Sequence, residues 1–365
     1  MSEYILILVW LGTMFLVAKK YKLKRREIVL DEMVERFKPW FAFLVFAPVI
    51  WMAGTRTEFG DTGMYVRGFQ NMPSAIGELG KYSLELKKDR GFYLFAAIVK
   101  IIIGNNSFLY LMLLATIQGS VLILIYRKYS ISYVFSIFLF VISTDYVAWM
   151  FNGIRQFTAV VLIFAATELM IKKKYMPLIL VILVASTLHQ SALIMIPLIF
   201  IAQGEAWNQK TLMFIAIALI IILFVGEFTD ILDVALEETQ YKNVVSDYKS
   251  FDDDGTNPLR VLIYSIPAII AFIGKRIIKR VDEPLINFCT NMSIISTGLY
   301  LISMVTSGIY MGRLPIYTSL YNYILLPWEI ENVFNKESRK IIYWVMVVCY
   351  FVYYYFQMHF VWALI

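Results

Sequence analysis

The chain has 365 residues, of which 60% are hydrophobic and only 16% are charged, whereas about a quarter of the residues of a soluble domain are charged. Apolar runs recur along the whole length, which excludes an ordinary soluble enzyme and indicates a polytopic all-α membrane protein. The net charge of +6 does not indicate nucleic-acid binding, because the basic residues cluster between the apolar runs. With only two histidines and two cysteines, a His-rich metal site and a disulfide framework are excluded.

The first apolar run, residues 4–18, is followed by Lys19 and Lys20. A secretory signal peptide carries its positive charge before the apolar part, so we predict a retained helix. The hydropathy pattern predicts a single transmembrane domain over residues 1–365 with about twelve transmembrane helices. Their approximate ranges are 4–18, 39–53, 106–126, 131–147, 154–171, 175–188, 190–203, 210–226, 259–274, 284–306, 310–330 and 340–358.

The distribution of basic residues predicts the orientation in the membrane. If the N-terminus is external, the inner loops hold 21 of the 33 Lys and Arg residues, as the positive-inside rule requires. Both termini are then external. The inner loops would be residues 19–38, 127–130, 172–174, 204–210, 275–283 and 331–340.

Two long segments, residues 54–105 and 227–258, are predicted on the external side. Residues 91–103 of the first are apolar but short and contain Lys100, so we predict a re-entrant or interfacial helix rather than a span. The second contains the acidic run Asp252–Asp254, which resembles a cation- or sugar-binding loop. A solvated acidic turn is the alternative, because a calcium loop needs a different ligand spacing.

Three arginines are predicted at one depth, near the outer leaflet. Arg56 follows the second span, Arg155 interrupts the run FNGIRQFTAV, and Arg313 stands near the start of the eleventh span. An ionised group costs about 2.5 kcal/mol or more at the bilayer centre, so each needs a partner. Arginine suits bidentate contact with phosphate oxygens, which predicts an anionic lipid head group. For Arg155 the alternative is snorkelling to the surface or pairing with an acid such as Asp145.

Polar side chains accompany these arginines at helical spacing. Asn152, Arg155 and Gln156 are spaced i, i+3 and i+4 and are predicted to share one helix face. All three can donate hydrogen bonds to an anion. This face is therefore the predicted centre of an anion site.

The other two arginines precede similar pairs. Asp61 and Tyr65 follow Arg56 and are four residues apart, within a glycine-rich segment. This segment is either a loop whose backbone approaches a ligand closely or an ordinary loop. Tyr317 and Tyr321 follow the third arginine at intervals of four and are predicted to line one helix face. An aromatic belt at the interface is the alternative for these two tyrosines.

His189 lies at the predicted outer tip of a helical hairpin over residues 175–203. A neutral imidazole is the natural base near pH 7, and a buried structural histidine is the alternative. His359 stands beside aromatic residues near the C-terminus and is predicted to be interfacial.

Five short segments, in this order along the chain, resemble the EpsG family, which is similar to the Wzy-type polymerases of bacterial O-antigen, capsule and exopolysaccharide. They are RTEFGDTGMY (56–65), DRGFYLF (89–95), NGIRQFTAV (152–160), HQSALIMIP (189–197) and RLPIY (313–317). The family often has glutamate–x–glycine–phenylalanine where this chain begins the second segment with Asp89. This chain therefore keeps an acidic residue at that position, but the aspartate side chain is shorter than that of glutamate.

The resemblance implies a fold like that of the GT-C membrane glycosyltransferases and a location in the bacterial cytoplasmic (inner) membrane. It implies an inverting glycosyltransferase that polymerises undecaprenyl-pyrophosphate-linked oligosaccharide repeat units at the external leaflet. The implied partners are this lipid-linked glycan and membrane lipid, without a cofactor, a metal or a nucleotide sugar. The sugars, their linkage, the repeat length, the class of polysaccharide, the oligomeric state and the binding of a chain-length regulator protein stay open.

The resemblance, together with the residue types, assigns expected roles to the candidate residues. His189 is the first choice of base for the acceptor hydroxyl, with Asp61 or Asp89 as the alternative. The residues expected to bind pyrophosphate are Arg56, Arg155, Arg313 and Gln156. The three arginines, Arg155 first, are also expected to act in catalysis by stabilising the charge of the transition state. Those expected to position the glycan are Tyr65, Asp89, Asn152, Tyr317 and Tyr321.

Three other functions stay open. A flippase for lipid-linked oligosaccharides would also use cationic groups, although it should expose them to both sides in turn. A membrane O-acyltransferase relies on an intramembrane histidine but needs no group of arginines. An O-antigen ligase differs from a polymerase only in its acceptor.

Overall fold

The computed structural model describes residues 3–30, 32–57, 59–236 and 255–365. The chain divides into two compact units, one formed by Met1–Leu193 with Tyr350–Ile365 and the other by Ile194–Cys349. The acidic run Asp252–Asp254 lies outside the described residues. Its predicted role as a binding loop stays a prediction.

Helices form most of the first unit. Within the described residues they are, in chain order, α1 (Glu3–Lys20), α2 (Pro39–Thr55), α3 (Thr62–Gln70), α4 (Leu79–Glu85), α5 (Arg90–Ile103), α6 (Ser107–Tyr129), α7 (Tyr133–Ile142), α8 (Ile154–Ala165), α9 (Thr167–Ile171) and α10 (Tyr175–Leu188). A π-helical turn, Tyr146–Asn152, precedes α8, and a 3₁₀ turn, Gln190–Ile194, follows α10. A second π-helical turn, Gln357–Val361, lies near the C-terminus.

A β-hairpin departs from the predicted all-α fold. Strands β1 (Lys24–Val29) and β2 (Glu32–Phe37) pair antiparallel in the basic loop between α1 and α2. Arg127, in the last turn of α6, donates hydrogen bonds to the Glu27 carboxylate and to the Phe37 carbonyl. Arg36 Nε donates to the Lys128 carbonyl over 2.7 Å. Charged residues obscured the strand alternation in the sequence, and these long-range bonds hold the hairpin against α6.

The second unit consists of further helices. They are α11 (Met195–Ala202), α12 (Gln209–Leu223), α13 (Val225–Leu236), α14 (Pro258–Ile273), α15 (Lys275–Val281), α16 (Pro284–Val305), α17 (Ile316–Ser319), α18 (Asn322–Val333) and most of α19 (Lys336–Phe356). Helix α16 is buried along most of its length and packs against α11, α12, α14 and α18. Its Asn291 amide donates to the carbonyls of Ala202 and Glu205, over 3.0 Å each. This side chain therefore fixes the end of α11 to the central helix.

Within the described residues, three helices are long and apolar enough to cross a membrane. The number of spans is up to six if each bent pair of helices counts as one. The three are Ser107–Tyr129, Pro284–Val305 and Lys336–Val361. The bent pairs are Tyr133–Ile142 with Tyr146–Asn152, Gln209–Leu223 with Val225–Ile231, and Pro258–Ile273 with Lys275–Val281, with bends of 76°, 98° and 71°. A multi-pass membrane protein is thus supported. The predicted number of twelve and the GT-C-like fold stay predictions.

Several predicted spans are interrupted where the sequence pattern is continuous. The predicted span 310–330 is divided into a 3₁₀ turn at Met311–Arg313 followed by α17 and α18. Hydropathy records only how apolar a segment is, so it does not detect a break whose polar backbone groups are satisfied inside the protein.

Helix α5 has the short length predicted for the re-entrant or interfacial segment. Its 14 residues extend about 21 Å, less than the roughly 30 Å of a hydrocarbon core. Its Lys100 is buried, and Lys100 Nζ donates to the Gln70 carbonyl over 2.6 Å and to the Met72 carbonyl over 2.5 Å. The ammonium group is thus satisfied by backbone oxygens.

Substitution of Arg127 tests the attachment of the hairpin. Burial of Glu27 tends to raise its pKa, but the hydrogen bonds from Arg25 and Arg127 outweigh this and lower it. The ion pair therefore stabilises the fold fully above the ordinary pKa of a glutamate and loses its effect as the pH falls through the lowered value. We expect Arg127→Met to cost about 2 kcal/mol near pH 7 and less in acid, measured by denaturant titration of the purified protein.

Arg25→Gln is the matched control, because the Arg25 side chain is 55% exposed. An exposed ion pair contributes about 0.5 kcal/mol or less. Equal losses of unfolding free energy in the two variants at all pH values would contradict the role of Arg127.

Candidate functional site

Three side chains hold Arg155 in the first turn of α8. Arg155 Nη1 donates to Asp89 Oδ2 over 2.9 Å and to the Tyr93 hydroxyl over 3.0 Å. Arg155 Nε lies 3.4 Å from the Tyr65 hydroxyl, and the guanidinium carbon lies 5.9 and 5.5 Å from the centroids of the Tyr65 and Tyr93 rings. The acid that pairs with Arg155 is Asp89 rather than Asp145. The charge of this arginine is therefore largely compensated within the protein.

Asp89 occupies an unusual backbone position. It is the N-cap of α5 with a φ of 50° and a ψ of 39°, a left-handed conformation that aspartate tolerates better than most residues. Its side chain is only 3% exposed, and its Oδ1 has no hydrogen-bond partner among the residues that the structure describes. Burial raises the pKa of Asp89, against the opposing effects of Arg155 and of the Gln190 backbone N–H. The site thus contains a buried carboxylate with unused acceptor capacity.

A glycine brings Asp89 close to the turn that follows α10. A Cβ on Gly91 would lie 2.1 Å from Thr187 Oγ1 and 3.0 Å from the Thr187 carbonyl carbon. The second of these contacts is with backbone, which cannot rotate away, so a larger residue would separate α5 from α10. Gly91 therefore permits the close packing that places Asp89 beside the backbone of Gln190.

His189 ends α10, as the predicted break in the hairpin requires. Its Nδ1 shares a hydrogen bond of 2.7 Å with Ser191 Oγ, and Gln156 Nε2 lies 3.4 Å from the same oxygen. The Ser191 hydroxyl can either accept a hydrogen bond from Nδ1–H or donate one to a bare Nδ1. In the first tautomer the ring nitrogen available as a base is Nε2. Gln156 is thus connected to the predicted base through Ser191.

Arg56 is the second arginine of the first unit. Its Nε donates to Thr62 Oγ1 over 3.0 Å, its Nη1 donates to the Ala53 carbonyl, and its guanidinium lies over the Phe151 ring. Among the described residues no carboxylate lies within 4 Å of it. Burial lowers the pKa of Arg56 to about 10, so the group still carries its charge at neutral pH. It is a half-buried cation without a carboxylate partner in the part of the chain that the structure describes.

Asn152 and Asp61 form a separate contact beside this arginine. The Asp61 backbone N–H donates to Asn152 Oδ1 over 3.0 Å. Gly60 has a φ of +48°, and a Cβ there would lie 2.4 Å from the same oxygen, so the loop needs glycine. The prediction that Asn152, Arg155 and Gln156 share one helix face is wrong in part. Asn152 ends the π-helical turn, and only the other two residues belong to α8.

Arg313, Tyr317 and Tyr321 lie in the second unit. Arg313 is exposed, whereas Tyr317 and Tyr321 are buried, and the Tyr321 ring meets Phe288 edge-on with centroids 5.2 Å apart. The break between α17 and α18 interrupts the continuous helix on which the three were predicted. Their convergence with the arginines of the first unit stays a prediction.

Tyr93 is a site residue that the sequence analysis missed. It follows Asp89 by four residues, so both face Arg155 from the first turn of α5. The spacing i, i+4 was a usable signal, but a tyrosine in an apolar segment resembles an interfacial aromatic.

Among the described residues no group of three His, Cys, Asp or Glu side chains could hold a metal ion.

Comparison with known proteins identifies one family. The family model described as EpsG family matches residues 39–363, which include Arg56, Asp89, Arg155, His189 and Arg313. No curated protein and no solved structure matches the chain. The resemblance seen in the five sequence segments is thereby confirmed.

The Arg155–Asp89 pair can be tested by stability measurements. We expect Asp89→Leu alone to cost roughly 3–5 kcal/mol, because it leaves the partly buried Arg155 without a counter-charge. The double variant Asp89→Leu, Arg155→Met should recover most of this loss, since neither charge remains. Denaturant titration of the purified variants gives the coupling free energy.

The Lys172–Glu168 pair is the matched control, because its side chains are 35% and 38% exposed. Lys172→Met should change the unfolding free energy by about 1 kcal/mol or less. A double variant at residues 89 and 155 that merely adds the two single losses would contradict the coupling.

Proposed function

The chain belongs to the EpsG family, and on this premise we propose that it polymerises undecaprenyl-pyrophosphate-linked oligosaccharide repeat units. The family makes it a membrane protein of polysaccharide biosynthesis, and the apolar helices agree with that. The observation that supports the finer proposal is the arrangement in the first unit. Two arginines, a buried carboxylate and a histidine gather there from four separate segments of the chain.

The proposed reaction is a glycosyl transfer between two lipid-linked glycans at the external leaflet of the bacterial cytoplasmic membrane. A hydroxyl oxygen of the acceptor sugar attacks the anomeric carbon of the donor. The bond from that carbon to the pyrophosphate oxygen breaks, and undecaprenyl pyrophosphate leaves with the electron pair. The hydroxyl proton passes to a base on the protein. Attack opposite the leaving group inverts the anomeric configuration.

Arg56 is the first candidate to bind the leaving pyrophosphate. A pyrophosphate that leaves gains negative charge and needs charge stabilisation more than a proton. Arg56 carries a charge that no described carboxylate compensates, whereas the charge of Arg155 is balanced by Asp89. Arg155 would orient the phosphate through its remaining donor capacity, with its plane fixed by the two tyrosines.

His189 is the proposed base, and Asp89 is the alternative. The contact of Nδ1 with Ser191 fixes the ring, and in the tautomer with the proton on Nδ1 the acceptor of the hydroxyl proton is Nε2. Asp89 has the unused Oδ1 but is committed to Arg155 through Oδ2. Protonation of Asp89 would break its ion pair with Arg155, which favours His189.

The remaining candidates have supporting roles in this proposal. Tyr65 and Tyr93 would contact sugar hydroxyls or phosphate oxygens from beside Arg155. Asp61 and Asn152 would support the loop near Arg56. Arg313, Tyr317 and Tyr321 would contribute from the second unit, and a metal-free reaction with both chain termini external belongs to the same proposal.

Polymer length in a strain that makes the polysaccharide tests the proposal. Arg56→Gln and His189→Ala should each abolish long chains and retain single-repeat material, because one lost transition-state contact slows a reaction by roughly a hundredfold or more. Arg56→Gln removes a charge without leaving a buried carboxylate unpaired, so protein levels should stay normal. Gel separation of the glycans and immunoblotting of the protein give the two measurements.

Arg90→Gln is the matched control, because Arg90 is exposed and lies next to Asp89. It should leave polymer length unchanged. Full-length polymer in both Arg56→Gln and His189→Ala would contradict the assignment. Purified protein in liposomes would separate the alternatives by product, since a polymerase lengthens the glycan, a flippase moves it across the bilayer and an acyltransferase acylates it.

A further inference from the structure

A groove of about 840 Å³ lies between α1, α2 and α6 of the first unit. This volume is within the range of small-ligand pockets, roughly 300–1,000 Å³. Its walls are mostly apolar. Representative lining residues are Leu6, Trp10, Leu44, Ala47, Met52 and Met112.

The two threonine hydroxyls in the groove wall are turned toward their own helices. Thr13 Oγ1 donates to the Val9 carbonyl over 2.9 Å, and Thr116 Oγ1 donates to the Met112 carbonyl over 2.7 Å. Neither hydroxyl hydrogen is left for a ligand. The groove therefore offers a surface of methyl, methylene and aromatic groups, which suits a hydrocarbon chain.

A proline and a tryptophan shape one wall of the groove. Pro48 lies inside α2 and cannot donate to the carbonyl four residues earlier, that of Leu44. Trp10 Nε1 of α1 donates to this carbonyl over 3.3 Å. Because the indole replaces the missing backbone donor, α1 is held beside α2 at this level without closing the space around Ala47.

Helix α2 links the groove to Arg56, which we call the basic site. Met52 of the groove wall precedes Arg56 by one helical turn. Arg56 Nε donates to Thr62 of α3, and α3 packs against α6, whose Met112 lines the groove. Glu3 stands at the α1 rim and disfavours an anion there. The charged end of an amphiphile would therefore lie on the α2–α6 side, toward Arg56.

We propose that this groove binds the hydrocarbon chain of the prenyl pyrophosphate carrier while Arg56 binds its pyrophosphate. The inference rests on the proposed function and adds a location for the lipid to it. The groove fixes where the carrier enters the protein, and the basic site fixes where its charged end stops.

Binding of a polyprenyl diphosphate to the purified protein in nanodiscs tests the inference. Ala47→Trp fills the groove from α2, and Leu6→Trp fills it from α1, so each should weaken binding about tenfold or more. Both should leave the weaker binding of inorganic diphosphate unchanged. Native mass spectrometry measures both ligands, and a thermal melt checks that each variant is folded.

Leu124→Trp is the matched control, because Leu124 lies on α6, is 59% exposed and does not line the groove. It should bind the polyprenyl diphosphate within about twofold of the unmodified protein. Phosphatidylglycerol in excess should compete only weakly, because its linear chains and single phosphate fit the groove and the basic site less well.

Each other outcome overturns the inference. If the groove-filled variants bind the polyprenyl diphosphate normally while Arg56→Gln does not, the lipid chain lies elsewhere and the proposed function survives. If phosphatidylglycerol competes equally, the groove is a general lipid site. If the unmodified protein does not bind the polyprenyl diphosphate at all, both the inference and the proposed function fail.

Discussion

The first unit depends on an ion pair between Arg155 and Asp89. An arginine placed among apolar helices needs a counter-charge, and the chain supplies it from a segment 66 residues away. The pair determines that the start of α5 lies against the start of α8. Gly91 then allows α5 to approach α10, so the carboxylate also reaches the backbone beside His189. One electrostatic requirement thus brings three segments of the chain together.

Because Asp89 compensates the charge of Arg155, Arg155 and Arg56 differ in how strongly they attract an anion. An arginine that already has a carboxylate partner attracts an anion less strongly than one that does not. Arg56 has backbone, hydroxyl and aromatic contacts but no carboxylate within the described ranges. Under the proposed function, Arg56 is therefore a better candidate than Arg155 to bind the pyrophosphate. Arg155 contributes geometry as much as charge, because Tyr65 and Tyr93 fix its plane.

The sequence predicted the composition of the site better than its geometry. Arg56, Arg155 and His189 could be identified because a charged or titratable group within an apolar run is rare and carries a cost. Their partners depend on contacts between distant segments, which no local spacing contains. Asp89 was therefore known as a candidate but not as the partner of Arg155, and Tyr93 was missed.

The fold shows the same division between local and long-range information. Apolar runs located most of the helices, and the length of α5 indicated that it would not cross the bilayer. The hairpin at β1 and β2 was missed because its exposed strands are charged on both sides and owe their position to Arg127. The breaks after α7 and within the eleventh predicted span were missed because hydropathy does not detect a break whose polar groups are satisfied inside the protein.

The buried Lys100 has a consequence for how the chain is assembled during synthesis. The carbonyls that receive its ammonium group belong to Gln70 and Met72, which leave the ribosome before Lys100 does. The acceptors are therefore already present when the lysine reaches the translocon, and no later segment is needed to neutralise its polarity. The polarity of Lys100 can thus be satisfied during translation, before the helices that follow α5 have been inserted.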